Sequence, residues 1–299
     1  MSSLSSDPLT GDCLILAPDR HNRPNPYGDS DVDPCPFCPG REELTPPEVL
    51  RAGRDPWQVR VFANKYPAVG GTSWHGDGEH LEGRHEIIVE SAEHHAVFEG
   101  LTEEELGLVT GVWLARYRSL ATSGRTVILF KNSGPRAGAS IPHIHSQLVA
   151  VPFVPPRFAH EVEVFRRSAE CPLCQPSPHG FIAEGEHFRW EADPGARLPY
   201  GQRIFPRRHD ADFTTMTEAE ERELGTMMRQ AASACSALRP DASYNWGFHN
   251  FPQDPSTHWY VEVIPRIAGL AGFELTSGCY INSVDVETAT NELRDRLRA

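Results

Sequence analysis

Two stretches of the chain carry the same pattern of apolar and polar positions. After Thr102, apolar residues recur at helical spacing at Val109, Val112, Trp113 and Leu120. After Thr217 the same places are taken by Leu224, Met227, Met228 and Cys235. Each stretch opens on a Thr followed three residues later by Glu: Thr102 with Glu105, and Thr217 with Glu220. That pair lets a hydroxyl and a carboxylate satisfy the orphan amides of a helix start. The pattern predicts two amphipathic helices, with starts offset by 217 − 102 = 115 residues.

Strand-like runs surround each helix. In the first half they are Trp57 to Phe62, His85 to Glu90, Thr126 to Phe130 and Gln147 to Val151. In the second half they are His187 to Glu191, Gln202 to Phe205, Tyr244 to Phe248 and Trp259 to Ile264. Strands, a helix and more strands, repeated, predict an α+β chain built by duplication, each half an antiparallel sheet with its helix. The halves are expected at residues 1–156 and 157–299, joined by the Pro-rich stretch Val151 to Arg157.

The offset also relates histidines. His94 and His209 are 209 − 94 = 115 apart, and His143 and His258 are 258 − 143 = 115 apart. A CPxC pair precedes each set, Cys35 with Cys38 and Cys171 with Cys174. Both pairs lie in Pro-rich loops without the strand-to-helix setting of a redox CxxC, which favours metal. Two thiolates and two imidazoles complete a tetrahedron for zinc. The expected sets are Cys35, Cys38, His94 and His143, then Cys171, Cys174, His209 and His258, both closed and structural. His85 and His95 compete with His94 for the first site. Zinc is expected at the first site; a second ion is the weaker expectation, and iron is an alternative there.

The stretch Phe130 to Gln147 reads FKNSGPRAGASIPHIHSQ. Its glycines allow backbone amides to approach phosphate oxygens. If the chain is extended from His143, then His143, His145 and Gln147 share one face. One imidazole can hold metal while the next attacks an activated phosphate, and Gln147 can donate to a non-bridging oxygen. Adding 115 to 145 and 147 gives Tyr260 and Glu262, so the second half keeps the ligand histidine but neither reactive residue.

Composition limits the partners. The chain of 299 residues is 39% hydrophobic and 23% charged, ordinary for a soluble globular protein. A net charge of −13 argues against nucleic acid or an anionic membrane as partner. Local arginines can still bind a phosphorylated small molecule. No apolar run reaches the roughly 20 residues of a membrane span, and Met1 to Thr10 carries no signal-peptide core. The expected location is the cytoplasm.

At these residues the chain resembles the galactose-1-phosphate uridylyltransferase family of the histidine-triad superfamily, which includes ADP-glucose phosphorylase-like members. The resemblance runs through APDRHNRP (Ala17 to Pro24), CPFC, VFANKYPAV (Val61 to Val69), HEIIVESAEH (His85 to His94), the loop to Gln147, and GFELTSGCYIN (Gly272 to Asn282). It implies a duplicated histidine-triad-like fold, ping-pong exchange and a homodimer. It implies that His145 carries the nucleotidyl group and Gln147 contacts its phosphate. It further implies nucleotide or phosphate contacts at Arg20, Arg23, Asn64, Asn132, Gly138 and Ser140. In the C-terminal segment the family's sugar-contacting Lys, Tyr, Glu and Gln align with Ala268, Phe273, Glu274 and Tyr280. Only Glu274 is kept, which weakens the expectation of galactose 1-phosphate.

The leading reading is transfer of a nucleoside monophosphate between a nucleotide sugar and a sugar 1-phosphate. Phosphorolysis with inorganic phosphate, on ADP-glucose for example, is the alternative; Lys131 and Arg136 would add charge for that acceptor. A third reading is a zinc-stabilised nucleotide-binding protein without turnover.

Overall fold

The computed structural model describes residues 2–22, 34–70, 81–121, 124–175, 177–239 and 242–298. The chain divides into two compact units. The first comprises Met1–Ala96, Leu108–Phe130 and Ser140–Glu163; the second comprises Val97–Gly107, Lys131–Ala139 and Val164–Ala299.

In chain order the elements begin with a hairpin, β1 (Ser3–Ser6) and β2 (Cys13–Leu16), then β3 (Glu48–Ala52), β4 (Val59–Ala63) and β5 (Arg84–Val89). Helix α1 (Glu103–Ala121), β6 (Thr126–Ser133), β7 (His145–Val151) and α2 (Pro156–Arg167) follow. Next come β8 (Phe181–Glu184), β9 (Phe188–Ala192), β10 (Gln202–Pro206), α3 (Glu218–Ser236), β11 (Tyr244–His249) and β12 (Tyr260–Pro265). The chain closes with α4 (Gly272–Ser277) and α5 (Val286–Arg298). No helix among the described residues is long and apolar enough to cross a membrane.

The expected duplication is present in the backbone. Helices α1 and α3 are 19 residues each, starting 218 − 103 = 115 apart, and β7 and β12 start 260 − 145 = 115 apart. Both helices open on the expected capping boxes. Thr102 N donates to Glu105 Oε2 at 2.8 Å and Thr217 N to Glu220 Oε2 at 2.7 Å. All eight apolar positions of the shared pattern are buried. The eight expected strand runs correspond to β4, β5, β6, β7, β9, β10, β11 and β12, within a few residues at each end.

In the first unit the strands run β3-β4-β5-β7-β6, and in the second β11-β12-β10-β9-β8. The paired strands are antiparallel. β7 sits between two neighbours and nearly all its residues are buried. Three polar side chains at its start, His145, Ser146 and Gln147, are therefore out of water and need partners inside the protein. Trp113 of α1 supplies one of them: its indole N–H lies 2.8 Å from Ser146 Oγ and 3.2 Å from Glu90 Oε1.

Several elements differ from the sequence pattern. β7 begins at His145 rather than His143, so the metal-candidate histidine precedes the strand. The Pro-rich stretch ends in α2, where Pro156 takes the first helical position; its missing N–H costs nothing there. The hairpin β1–β2, the edge strands β3 and β8, and helices α2, α4 and α5 had no separate prediction. β2 is exposed along its whole length, so it carries no alternating burial to reveal it.

Candidate active site

The loop before β3, the segment after β5 and the approach to β7 bring together Cys35, Cys38, His94 and His143. His94 Nδ1 is 3.2 Å from Cys38 Sγ, and His143 Nδ1 is 3.8 Å from Cys35 Sγ and 3.7 Å from Cys38 Sγ. Ligands about 2.0 to 2.3 Å from one ion in a tetrahedron stand roughly 3.3 to 3.8 Å from each other, so the donor atoms fit a single zinc-sized ion. His143 Nε2 lies 2.7 Å from the Ser91 carbonyl, which can only accept. That bond fixes the proton on Nε2 and leaves the Nδ1 lone pair facing the sulfurs.

The second unit repeats the arrangement with Cys171, Cys174, His209 and His258. His258 Nδ1 is 3.6 Å from each sulfur and His209 Nδ1 is 3.4 Å from Cys174 Sγ. The outer nitrogens donate to backbone carbonyls, His258 to Pro206 at 2.9 Å and His209 to Pro255 at 3.0 Å. Burial, then the neighbouring His209, pushes His258 down to about 4, which keeps it neutral and able to coordinate. Burial pushes the thiols of Cys35 and Cys174 each up to about 11, so a metal must displace protons to bind there.

His145 stands two residues beyond His143 with its ring on a cleft of about 270 Å³. Its Nδ1 donates to the His143 carbonyl at 2.8 Å, which places the lone pair of the neutral ring on Nε2. Phe37, inside the first CPxC loop, packs edge-on against the ring with centroids 5.2 Å apart. The same loop thus gathers the thiols and holds the imidazole. The cleft is lined also by Pro36, Phe62, Asn64, Lys65, Tyr66, Ile87, Ser140 and Gln147.

Four of the expected site residues, Asn64, Ser140, His145 and Gln147, therefore share one cleft. Gln147 Oε1 is 2.9 Å from His85 Nε2. Arg20 is not among the lining residues, but its guanidinium donates to the carbonyl of Tyr66, which is, at 2.7 Å. Arg23 lies outside the described residues. Asn132 and Gly138 belong to the second unit, where Asn132 Oδ1 accepts from Asn245 Nδ2 at 2.8 Å. Glu274, also in that unit, accepts from the Ala271 amide at 2.9 Å and caps α4. None of these three is among the residues lining the cleft. Lys131 is buried with its ammonium 5.3 Å from the Phe98 ring centroid, while Arg136 is exposed.

Sequence reasoning passed over Phe37 and Lys65, and weighed His85 only as a rival metal ligand. His85 is placed by strand register: it sits opposite Val149 and diagonal to Gln147 on the same sheet face.

Fold and site together define a class, the duplicated antiparallel α+β proteins with a Cys2His2 cluster in each half. Galactose-1-phosphate uridyl transferase, N-terminal domain, matches residues 4–155, and Domain of unknown function (DUF4921) matches residues 82–299. ADP-glucose phosphorylase of Arabidopsis thaliana is 31% identical over 326 aligned residues, covering 98% of this chain and 92% of the relative. Galactose-1-phosphate uridylyltransferase of Thermotoga maritima is 26% identical, with 99% and 98% covered. The crystal structure of an Arabidopsis thaliana ADP-glucose phosphorylase with bound ADP-glucose superposes with a TM-score of 0.80 at 29% identity, covering 99% of each chain. This chain belongs to the galactose-1-phosphate uridylyltransferase family.

Proposed function

We propose that this protein moves a nucleoside monophosphate from a nucleotide sugar to a second phosphate, through a covalent intermediate on His145. The observation that carries the reading is the state of that imidazole: Nδ1 is committed to the His143 carbonyl, and the ring opens on a cleft beside Gln147. In the first step Nε2 attacks the nucleotide's α-phosphorus. The P–N bond forms as the P–O bond to the sugar phosphate breaks, and the sugar 1-phosphate leaves as an anion. In the second step an acceptor phosphate oxygen attacks, the P–N bond breaks, and the imidazole is restored. Gln147 donates an amide N–H to a non-bridging oxygen as charge builds there. Asn64 and Ser140 contact the nucleotide or its phosphate, with Arg20 and Arg23 supplying positive charge. Asn132, Gly138 and Glu274 complete the substrate contacts.

Zinc is the ion we assign to the first Cys2His2 cluster, where it would supply folding energy and fix the loop ahead of β7. The second cluster takes zinc as well, with iron as the alternative. The catalytic half is residues 1–156 and the supporting half residues 157–299, working as a homodimer in the cytoplasm.

Inorganic phosphate as acceptor is a second reading of equal standing. Three of four sugar-contacting positions depart from the transferase pattern, and a relative at 31% identity is named ADP-glucose phosphorylase. Half-reaction exchange separates the two. The protein is incubated with UDP-glucose or ADP-glucose and labelled glucose 1-phosphate, with no other substrate. Label entering the nucleotide sugar supports the covalent route, and its absence with both nucleotides counts against it. Adding galactose 1-phosphate or inorganic phosphate then identifies the acceptor.

A further inference from the structure

The carboxamide of Gln147 is useful only one way round. Its N–H face must point to the phosphate and its carbonyl away, yet the two ends have nearly the same shape. Something in the protein must choose between them, and the surroundings of His85 contain that choice.

His85 is buried, and Ala68, Gln147 and Asn64 all approach its ring nitrogens. The backbone N–H of Ala68 donates to Nδ1 at 3.0 Å. A nitrogen that accepts carries a lone pair, so the proton of the neutral ring sits on Nε2. Two groups lie near Nε2: Gln147 Oε1 at 2.9 Å and Asn64 Nδ2 at 3.1 Å. The Asn64 amide is itself fixed, because its Oδ1 accepts from the Tyr66 backbone N–H at 2.8 Å. Its Nδ2 is therefore a donor and cannot receive the Nε2 proton. The acceptor facing that proton is Gln147 Oε1, at 2.9 Å. No other hydrogen bond is recorded for the Gln147 side chain among the described residues, so its Nε2 remains for a ligand in the cleft it lines.

We propose that His85 is a positioning residue: through the chain from the Ala68 amide to Nδ1 and from Nε2 to Oε1, it holds the Gln147 carboxamide with its N–H group toward the phosphate. This rests on the reading of His145 as nucleophile and Gln147 as amide donor. Orientation is thus relayed from the Ala68 backbone amide, in the Val61 to Val69 segment, to a side chain on β7.

The test is a double-mutant cycle on the single-turnover rate at which His145 becomes nucleotidylated, read by intact-protein mass. The probe is whichever of ADP-glucose and UDP-glucose labels the wild-type protein. Gln147→Ala is expected to slow labelling roughly 100-fold, the scale of one lost transition-state donor. H85F is expected to slow it about 10-fold at saturating probe, with the half-saturating concentration little changed, since a misoriented amide is lost only part of the time. In the Gln147→Ala background H85F should cost nothing further, because the group it orients is gone. A general packing defect would instead multiply the two losses, and that outcome overturns the proposal.

A second pair keeps the test decisive if H85F does not fold. His85→Gln can place an amide N–H near the position of Nε2 and should label within about 3-fold of wild type, whereas His85→Asn is too short to reach and should label about 10-fold slower. Equal rates for these two variants would also overturn it. Failure of the wild-type protein to label with either probe removes the nucleophile reading, and this inference with it. Normal wild-type labelling with multiplicative losses removes the inference alone.

Discussion

Trp113 ties the reactive strand to the helix beneath it, and Trp113→Phe cuts that tie. The side chain stays aromatic, but the indole N–H and part of the ring are lost, the latter adding a cavity cost of its own. In the wild-type protein that N–H faces Ser146 Oγ at 2.8 Å and Glu90 Oε1 at 3.2 Å, and all three residues are buried. A neutral buried hydrogen bond is worth about 1 kcal/mol and one to a carboxylate about 2 kcal/mol. One N–H is shared between the two acceptors, so its loss counts once, and the variant should lose about 2 kcal/mol. Ser146 lies between His145 and Gln147, with its side chain on the opposite face of β7. The loss should therefore fall on stability before it alters the cleft. The assay is urea unfolding of the first unit by tryptophan-independent circular dichroism, comparing midpoints at constant slope. A loss below about 1 kcal/mol would refute the reasoning, because a buried donor shared by a carboxylate and a hydroxyl contributes at least that much.

Further outcomes follow from the same geometry. Cys35→Ser removes one donor from the first cluster and should cost that ion and at least ~5 °C of melting temperature before it changes the chemical step; metal analysis with calorimetry checks it, and normal stability with no activity would contradict it. Burial raises the Glu220 carboxyl, but hydrogen bonds from Arg208 and Thr217 and the Arg208 charge outweigh it, so its folded pKa sits below the ordinary 4.5. A lowered pKa stabilises the fold above the unfolded value and loses that contribution as pH falls through the folded one. Glu220→Gln should therefore be less stable than wild type at pH 7, with the gap closing as pH falls through the carboxylate range; a constant gap in pH-dependent unfolding would contradict this.

Much of the fold was legible because the chain states its pattern twice. Thr102 and Thr217, with their glutamates and apolar faces, located α1 and α3, since capping and helical periodicity are local effects. The strands that carry long apolar runs were equally visible. The segments missed were those whose burial does not alternate, such as the exposed β2, or whose composition suggested a connection, such as the Pro-rich entry to α2. At the site, the Cys pairs and the repeated histidine offset pointed to the two Cys2His2 clusters. His85 was noticed only as a rival ligand. Its meeting with Gln147 depends on the register between β5 and β7, which no local pattern encodes. Asn132, Gly138 and Glu274, also expected to contact substrate, do not line the His145 cleft.

The central claim is that one imidazole takes up the nucleotidyl group. Its most direct test is to mix the protein with ADP-glucose or UDP-glucose, quench in alkali and locate the added mass by peptide fragmentation. The account predicts one nucleoside monophosphate, acid-labile and alkali-stable, on His145, released when sugar 1-phosphate or phosphate is added. His145→Ala should show none while keeping its metal and its melting temperature. An adduct on another residue, or turnover by His145→Ala at the wild-type rate, would contradict the account.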